Sequence, residues 1–77
     1  MGIRILYFAS LRETMGRVEE TLSAEGLLTV GDVWKVVSQG QPLPDQVLCA
    51  VNRVYADAAT AVQDGDEIAF FPPVTGG

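Results

Sequence analysis

Only one segment of this chain has a strong helical period, and this restricts the folds that are open to it. Four apolar side chains recur there at intervals of three and four residues: Val30, Val33, Trp34 and Val37. That spacing places them on one face of an amphipathic helix. Thr29 is the predicted N-cap, with Asp32 as its partner in a short capping box. We predict a helix of about ten residues that ends before Gly40 and packs this face into the core.

The other apolar segments have the composition and alternation of strands. The predicted strands cover residues 3–8, 17–22, 46–52, 54–56 and 67–71, and a short helical turn covers residues 10–16. One main helix can cover only one face of the resulting sheet. The order of elements therefore predicts an α+β roll of the ubiquitin-like kind. In it the first and last strands lie side by side at the centre of a mixed sheet, and the helix covers one face.

The two central strands are apolar on both of their faces. Alternation turns four side chains toward the helix: Ile3, Ile5, Ile68 and Phe70. It turns four others toward the opposite face: Leu6, Phe8, Ala69 and Phe71. A sheet face in contact with water is normally polar. We therefore predict an exposed apolar patch on the open face, which indicates a protein partner.

The C-terminal sequence Phe-Phe-Pro-Pro-Val-Thr-Gly-Gly, residues 70–77, ends in a main-chain carboxylate. Gly76 and Gly77 have no side chains, so the chain end can enter a narrow channel and present its last carbonyl to an enzyme. The segment Pro72-Pro73 favours an extended path that carries the tail away from the fold. The Gly77 carboxylate is the candidate reactive group, and an inert chain end is the alternative.

Composition excludes several classes of function. Ten acidic against five basic residues give a formal net charge of −5, which disfavours nucleic acid and anionic membranes as partners. The chain has no histidine and a single cysteine, Cys49, so we predict no metal site and no internal disulfide. The sequence lacks an apolar segment long enough to span a membrane, and we expect a cytoplasmic protein. The acidity itself favours solubility, with docking to a basic partner as the alternative.

An independent enzyme is not expected. Without histidine there is no nucleophilic triad of the usual kind. The acidic cluster Asp64, Asp66 and Glu67 has the spacing of a turn, and Cys49 lies within an apolar strand, where cysteine is usually an inert core residue. The tail is left as the leading site. A carboxylate becomes an electrophile once it is adenylated; attack by sulfur then yields a thiocarboxylate, and attack by an amine yields a protein conjugate.

Four segments together closely resemble the small subunits of molybdopterin synthase, the MoaD family. These segments are Ile5–Ala9, Leu11–Glu13, Ala50–Asn52 and Asp64–Gly77. The resemblance is strong over residues 3–16 and 50–77 and weak over residues 17–48. The connection over residues 40–46 is shorter than expected for the family.

The resemblance implies a β-grasp domain over residues 1–71 and a flexible diglycine tail over residues 72–77. It implies a sulfur carrier whose Gly77 is adenylated by an E1-like enzyme that uses ATP. A sulfurtransferase system then converts Gly77 to a thiocarboxylate, and the carrier itself binds no cofactor.

By the same resemblance, the tail enters a pocket of the large synthase subunit, in an expected heterotetramer of two small and two large subunits. There it donates sulfur to cyclic pyranopterin monophosphate to form the molybdopterin dithiolene. Three tail residues would provide access to the pocket: Val74, Thr75 and Gly76. Phe8, Arg12 and Phe71 fall at positions expected to contact partners, together with Leu6 and Ala69 of the patch and with Pro72 and Pro73.

Three alternatives remain open from the sequence. The chain could carry sulfur for thiazole synthesis or for another sulfur-insertion pathway. It could be a ubiquitin-like modifier whose diglycine is joined to lysines. It could also be a binding module with an inert tail.

Overall fold

The computed structural model describes residues 2–72, which form five strands and two helices in the predicted order. The strands are β1 (Ile3–Tyr7), β2 (Glu19–Leu22), β3 (Leu48–Val51), β4 (Val54–Ala56) and β5 (Glu67–Phe71). The helices are α1 (Ser10–Met15) and α2 (Val30–Val37). Each predicted element is present. β1, β2 and β3 end one or two residues short of their predicted bounds.

The five strands form one mixed sheet in the order β2-β1-β5-β3-β4. The first and last strands, β1 and β5, are parallel neighbours at its centre, with Ile5 opposite Ile68 and Leu6 opposite Ala69. The other three pairings are antiparallel. This topology confirms the predicted roll. Because β5 pairs with strands on both sides, the chain leaves the middle of the sheet where β5 ends at Phe71.

Helix α2 begins with the predicted capping box. The Thr29 hydroxyl accepts a hydrogen bond from the Asp32 amide at 3.2 Å, and Asp32 Oδ2 accepts one from the Thr29 amide at 3.0 Å. The helix spans eight residues rather than about ten. It ends early because Gln39 and Gly40 both adopt left-handed backbone conformations, with φ of 61° and 94°, which cannot continue an α-helix.

Helix α2 covers one face of the sheet, which we call the closed face. Its four apolar residues are buried there against side chains of β1 and β5: Ile3, Ile5, Tyr7, Ile68 and Phe70. The Trp34 ring packs edge-to-face on the Phe70 ring, with centroids 4.8 Å apart. Cys49 lies in the same core with 2% of its surface exposed. The predicted core face and the core position of Cys49 are confirmed.

A polar network joins the C-terminal end of α2 to the sheet. The Tyr7 hydroxyl donates to Glu20 Oε2 at 2.6 Å, and burial together with this bond raises the pKa of Tyr7. Arg17 pairs with the same carboxylate and donates from Nη2 to the Val37 carbonyl at 2.8 Å. A cation at a helix C-terminus stabilises the last carbonyl groups. The network thus fixes α2 on the closed face.

Candidate functional site

The opposite face of the sheet, which no helix of the described residues covers, is called the open face. Sheet register brings the predicted residues together there: Leu6 is opposite Ala69, and Phe71 is opposite Leu48. Leu6, Ala69 and Phe71 are half-buried, and Phe8, just beyond the end of β1, is 40% exposed. The open face therefore carries the predicted apolar patch at the end of the sheet where the tail begins.

Three aromatic rings form the centre of this patch. Phe71 makes edge-to-face contacts with Phe8 and Tyr55, with ring centroids 6.5 and 5.9 Å apart. Tyr55 is 77% exposed, so most of its ring faces solvent. Rings that contact one another while remaining accessible present a large preformed apolar surface to a partner.

Arg12 places a positive charge at the margin of the aromatic group. Its Cζ lies 5.9 Å from the centroid of the Phe8 ring, within the range of a cation–π contact. Its Nε donates to the Tyr7 carbonyl at 3.1 Å, which restricts where the guanidinium can lie. In a chain with a net charge of −5, this cation is available for a carboxylate of a partner.

Ala9 sets the relative positions of Phe8 and Arg12. Its φ of 52° and ψ of −132° are typical of glycine at the first central position of a type II′ turn. The turn is closed by a hydrogen bond from the Leu11 amide to the Phe8 carbonyl at 3.1 Å. A side chain in this conformation costs about 1–3 kcal/mol. The strained turn lies directly beside the patch.

Charged side chains occupy the other end of the open face. Arg4 lies next to Leu6 on this face of β1 and makes an ion pair with Glu19 at 2.9 Å. A second, longer contact joins Arg4 to Glu67 at 3.6 Å. The face therefore changes along its length from exposed ion pairs to aromatic rings, and the aromatic end adjoins the tail. An apolar centre with a polar rim is the usual composition of a protein interface.

The structure brings five predicted residues together: Leu6, Phe8, Arg12, Ala69 and Phe71. Pro72 is half-buried at the end of β5. The predictions for Pro73, Val74, Thr75, Gly76 and Gly77, including the reactive carboxylate, fall outside the described residues and stay predictions.

Sequence reasoning missed Tyr55 and Leu48 as members of the patch. Tyr55 belongs to a three-residue strand, too short for an alternation pattern, and Leu48 belongs to a continuous apolar run. Their place on the open face follows only from register, because Ala50 lies opposite both Tyr55 and Ala69. The only sequence signal was the hairpin itself, with Asn52-Arg53 as its turn.

The other candidate groups have structural roles. The Cys49 thiol donates to the Ala56 carbonyl at 3.2 Å, and burial raises its pKa, which disfavours the reactive thiolate. Asp66 is 8% exposed and accepts hydrogen bonds from the Asn52 side chain at 2.9 Å and the Gln63 amide at 2.8 Å. The acidic turn therefore joins the start of β5 to the β3–β4 hairpin, as its predicted structural role requires.

Within residues 2–72, neither helix has the length and apolar character needed to cross a bilayer.

Comparison with known proteins agrees with this geometry. A family model described as the ThiS family matches residues 5–77. A molybdopterin synthase sulfur carrier subunit from Haemophilus influenzae is 36% identical, over 97% of this chain and 99% of that protein. Small archaeal modifier protein 3 of Haloferax volcanii is 30% identical, with 100% of both chains covered.

Among solved structures, the crystal structure of SAMP1 from Haloferax volcanii superposes with a TM-score of 0.79 at 29% identity, with 100% of both chains covered. This likeness confirms the predicted β-grasp fold. The chain therefore belongs to the ThiS family, and over nearly its full length it is similar to a molybdopterin synthase sulfur carrier subunit.

Proposed function

We propose that this chain is the sulfur carrier subunit of a molybdopterin synthase and acts in molybdenum cofactor biosynthesis. The observation that carries the proposal is the position of the aromatic patch. Phe8, Phe71 and Tyr55 lie where β5 gives way to the sequence that ends in Gly76-Gly77. A partner bound to the patch would hold the start of the tail, and the last residues would reach into that partner. The relatives named as sulfur carrier subunits support the assignment.

Activation begins at the Gly77 carboxylate. A carboxylate oxygen attacks the α-phosphorus of ATP on an E1-like enzyme, pyrophosphate leaves, and a glycyl adenylate forms. The terminal sulfur of a persulfide on a sulfurtransferase system then attacks the acyl carbon, AMP leaves with the original carboxylate oxygen, and an acyl disulfide forms. A thiol of that system attacks the donor-side sulfur, so that a disulfide forms on the donor and the outer sulfur remains on Gly77 as a thiocarboxylate. The thiocarboxylate is the nucleophile that attacks cyclic pyranopterin monophosphate.

In this chemistry the chain binds the large subunit and orients the tail. The aromatic patch supplies apolar area for the large subunit, and Arg12 supplies a cation fixed by the Tyr7 carbonyl. The patch lies on the same two strands as the core, because Tyr7 and Phe70 alternate with Leu6 and Phe71. A surface that is already formed before docking reduces the entropy cost of binding.

We propose two small and two large subunits in the assembled enzyme, in the cytoplasm.

The intact mass of the protein tests the carrier chemistry. The chain is incubated with ATP, an E1-like activating enzyme and a sulfur source, beside a control that lacks Gly77. We expect a mass gain that corresponds to one oxygen replaced by sulfur, absent from the control. An unchanged mass, under conditions that charge a known carrier, would refute the proposal.

Protein modification is the second candidate, because one relative of 30% identity is a small archaeal modifier protein. The two functions share adenylation and differ in the nucleophile that follows. Conjugates of the chain with lysines of other proteins, resistant to denaturing electrophoresis and lost without Gly77, would support modification. Formation of molybdopterin by the charged chain and a purified large subunit would support the carrier.

A further inference from the structure

Strand β4 lies at one edge of the sheet, so one side of its main chain has no neighbouring strand within residues 2–72. The hairpin that joins β3 to β4 has a two-residue turn, Asn52-Arg53, in which both residues have positive φ, at 51° and 71°. This is the type I′ geometry, in which the two residues that flank the turn form a hydrogen-bonded pair. Val51 and Val54 are that pair, and Tyr55 belongs to the next pair, which is not hydrogen-bonded.

The main-chain N–H and C=O groups of Tyr55 therefore point outward from this edge. Hydrogen bonding on the other side of β3 agrees, because the Asn52 amide donates to the Glu67 carbonyl at 2.8 Å. Asn52 thus turns its main-chain groups to β5, and Val51, next to it, turns its groups to β4. No hydrogen bond within residues 2–72 occupies either main-chain group of Tyr55. Both groups are available to another strand.

The two edges of the sheet differ in charge. β2, at the other edge, carries Glu19 and Glu20, and charged side chains on an edge strand hinder pairing with another chain. β4 has the sequence Val-Tyr-Ala, with no charge and no proline. Val54 and Tyr55 are 68% and 77% exposed. The β4 edge can therefore accept an added strand, whereas the β2 edge is protected.

The charges that flank β4 favour a second copy of this chain as the added strand. Arg53 precedes β4 and Asp57 follows it, and both are exposed. Neither side chain makes an ion pair within residues 2–72. When two β4 strands pair antiparallel about Tyr55, Arg53 of each copy lies opposite Asp57 of the other. Opposite charges then meet at both ends of the strand pair.

We propose that two copies of this chain pair through their β4 strands, antiparallel about a two-fold axis at Tyr55. The Tyr55 N–H of each copy donates to the Tyr55 C=O of the other, as in a hydrogen-bonded antiparallel pair. Arg53 of each copy pairs with Asp57 of the other. The contact is isologous, since the same surface is used on both copies, and it joins their two sheets into one.

The same pairing brings two aromatic rings together. The Tyr55 ring lies on the open face against Phe71, with centroids 5.9 Å apart, and the Tyr55 ring of the second copy lies across the strand pair from it. Aromatic cross-strand pairs favour antiparallel pairing. A three-residue edge buries little surface, so we expect a weak dimer with a dissociation constant on the order of 0.1–1 mM. The net charge of −5 on each copy opposes tighter association.

Amide NMR spectra of the chain at increasing concentration test the pairing. We expect concentration-dependent shifts at the β4 amides and slower hydrogen exchange of the Tyr55 amide, because its N–H gains an acceptor. The Thr21 amide is the internal control and should not respond. It points outward from β2, since the Tyr7 amide donates to the Val18 carbonyl and alternate residues of β2 face away from β1. Spectra of β4 that stay unchanged from roughly 0.05 to 2 mM would overturn the proposal.

Two substitutions locate the contact by sedimentation equilibrium. Tyr55→Lys places like charges on the two-fold axis, and Arg53→Asp places like charges opposite each other at both ends of the pair. Lys35→Asp, at an exposed position of α2, is the matched control, since it makes the same change in net charge away from the edge. We expect each edge variant to raise the dissociation constant roughly tenfold or more, and Lys35→Asp to raise it much less. Equal dissociation constants for Arg53→Asp and Lys35→Asp would overturn the proposal.

Other occupants of this edge give different results. A chain that stays monomeric at all concentrations, while Arg53→Asp weakens binding of the large subunit, would assign the edge to a strand of that partner and overturn the self-pairing. Concentration-dependent shifts confined to Phe8 and Phe71 would indicate a contact through the open face and would also overturn it. None of these outcomes changes the loading of sulfur on Gly77, so this proposal and the proposed function fail independently.

Discussion

The two faces of the sheet differ in their exposure to solvent, although β1 and β5 contribute side chains to both. On the closed face, Ile5, Tyr7, Ile68 and Phe70 are at most 1% exposed beneath α2. On the open face, the apolar side chains that alternate with them remain half-buried or exposed, up to 40% at Phe8. Similar side chains therefore stabilise the fold on one face and leave a binding surface on the other.

This difference separates stability from recognition within the same strands. Removal of apolar surface from water contributes roughly 25 cal/mol per Å². The closed face obtains that contribution when the chain folds. The apolar surface that stays exposed on the open face can make this contribution only when another protein covers Phe8, Phe71 and Tyr55. Substitutions on the two faces should therefore affect different measurements.

The largest expected effect is on the closed face. Phe70→Ala removes a fully buried ring that contacts both Tyr7 and Trp34, and we expect a loss of about 3–5 kcal/mol in the free energy of unfolding. Phe71→Ala, one residue later, should cost about 1 kcal/mol. Chemical denaturation of both variants makes the comparison. Equal losses would show that the two faces do not differ as described.

The next effect is on binding to the large subunit. Phe71→Asp places a charge among the aromatic rings of the open face, and we expect affinity to fall by roughly 30-fold or more, with a loss of stability well below that of Phe70→Ala. Isothermal titration calorimetry measures the affinity. Leu28→Asp is the matched control, since it makes the same charge change at an exposed apolar residue outside the patch. Unchanged affinity for Phe71→Asp would exclude the open face as the interface.

A smaller effect is expected at the start of α2. Thr29→Ala removes the hydroxyl that accepts from the Asp32 amide, and we expect a loss of about 1 kcal/mol in the free energy of unfolding. Because α2 covers only the closed face, affinity for the large subunit should be retained in the folded fraction. Thermal unfolding and calorimetry on the same sample test both parts. A binding defect as large as that of Phe71→Asp would contradict the separation of the two faces.

The smallest expected effect depends on pH. Hydrogen bonds from the Leu28 and Thr29 amides hold the pKa of Asp32 below its usual value. The stability that this carboxylate contributes is therefore complete above its unfolded pKa of about 4 and is lost as pH falls through its folded pKa. Asp32→Asn should be less stable than the natural chain at neutral pH, and the difference should shrink on acidification. A difference in stability that grows as pH falls would contradict the lowered pKa of Asp32.

Much of the fold could be predicted from local pattern. The i, i+3, i+4, i+7 spacing of α2, its capping box and the two-sided apolar character of β1 and β5 are all confirmed. The length of α2 was overestimated, because the left-handed conformations of Gln39 and Gly40 depend on the path of the following connection. Alternation predicted which residues of β1 and β5 face away from the helix, and the structure agrees.

The candidate site was predictable only in part. Leu6, Phe8, Ala69 and Phe71 followed from the pattern, whereas the place of Arg12 followed from resemblance to a family. Tyr55 and Leu48 required the register of β3 with β4 and β5, a long-range property that no short segment encodes. The state of the Trp34 indole was also beyond prediction. The spacing of α2 marks Trp34 as core, and only its neighbours show that its N–H has no acceptor within residues 2–72.

The most direct test of the account is sulfur transfer from the charged chain in the absence of ATP. Purified thiocarboxylated protein is mixed with the large subunit and cyclic pyranopterin monophosphate, and molybdopterin is measured against the amount of carrier consumed. The account predicts product at one molecule for two carriers, since a dithiolene contains two sulfur atoms, and a sharp reduction for charged Phe71→Asp. Absence of product, while an authentic carrier reacts under the same conditions, would contradict the assignment of this chain as a molybdopterin synthase sulfur carrier.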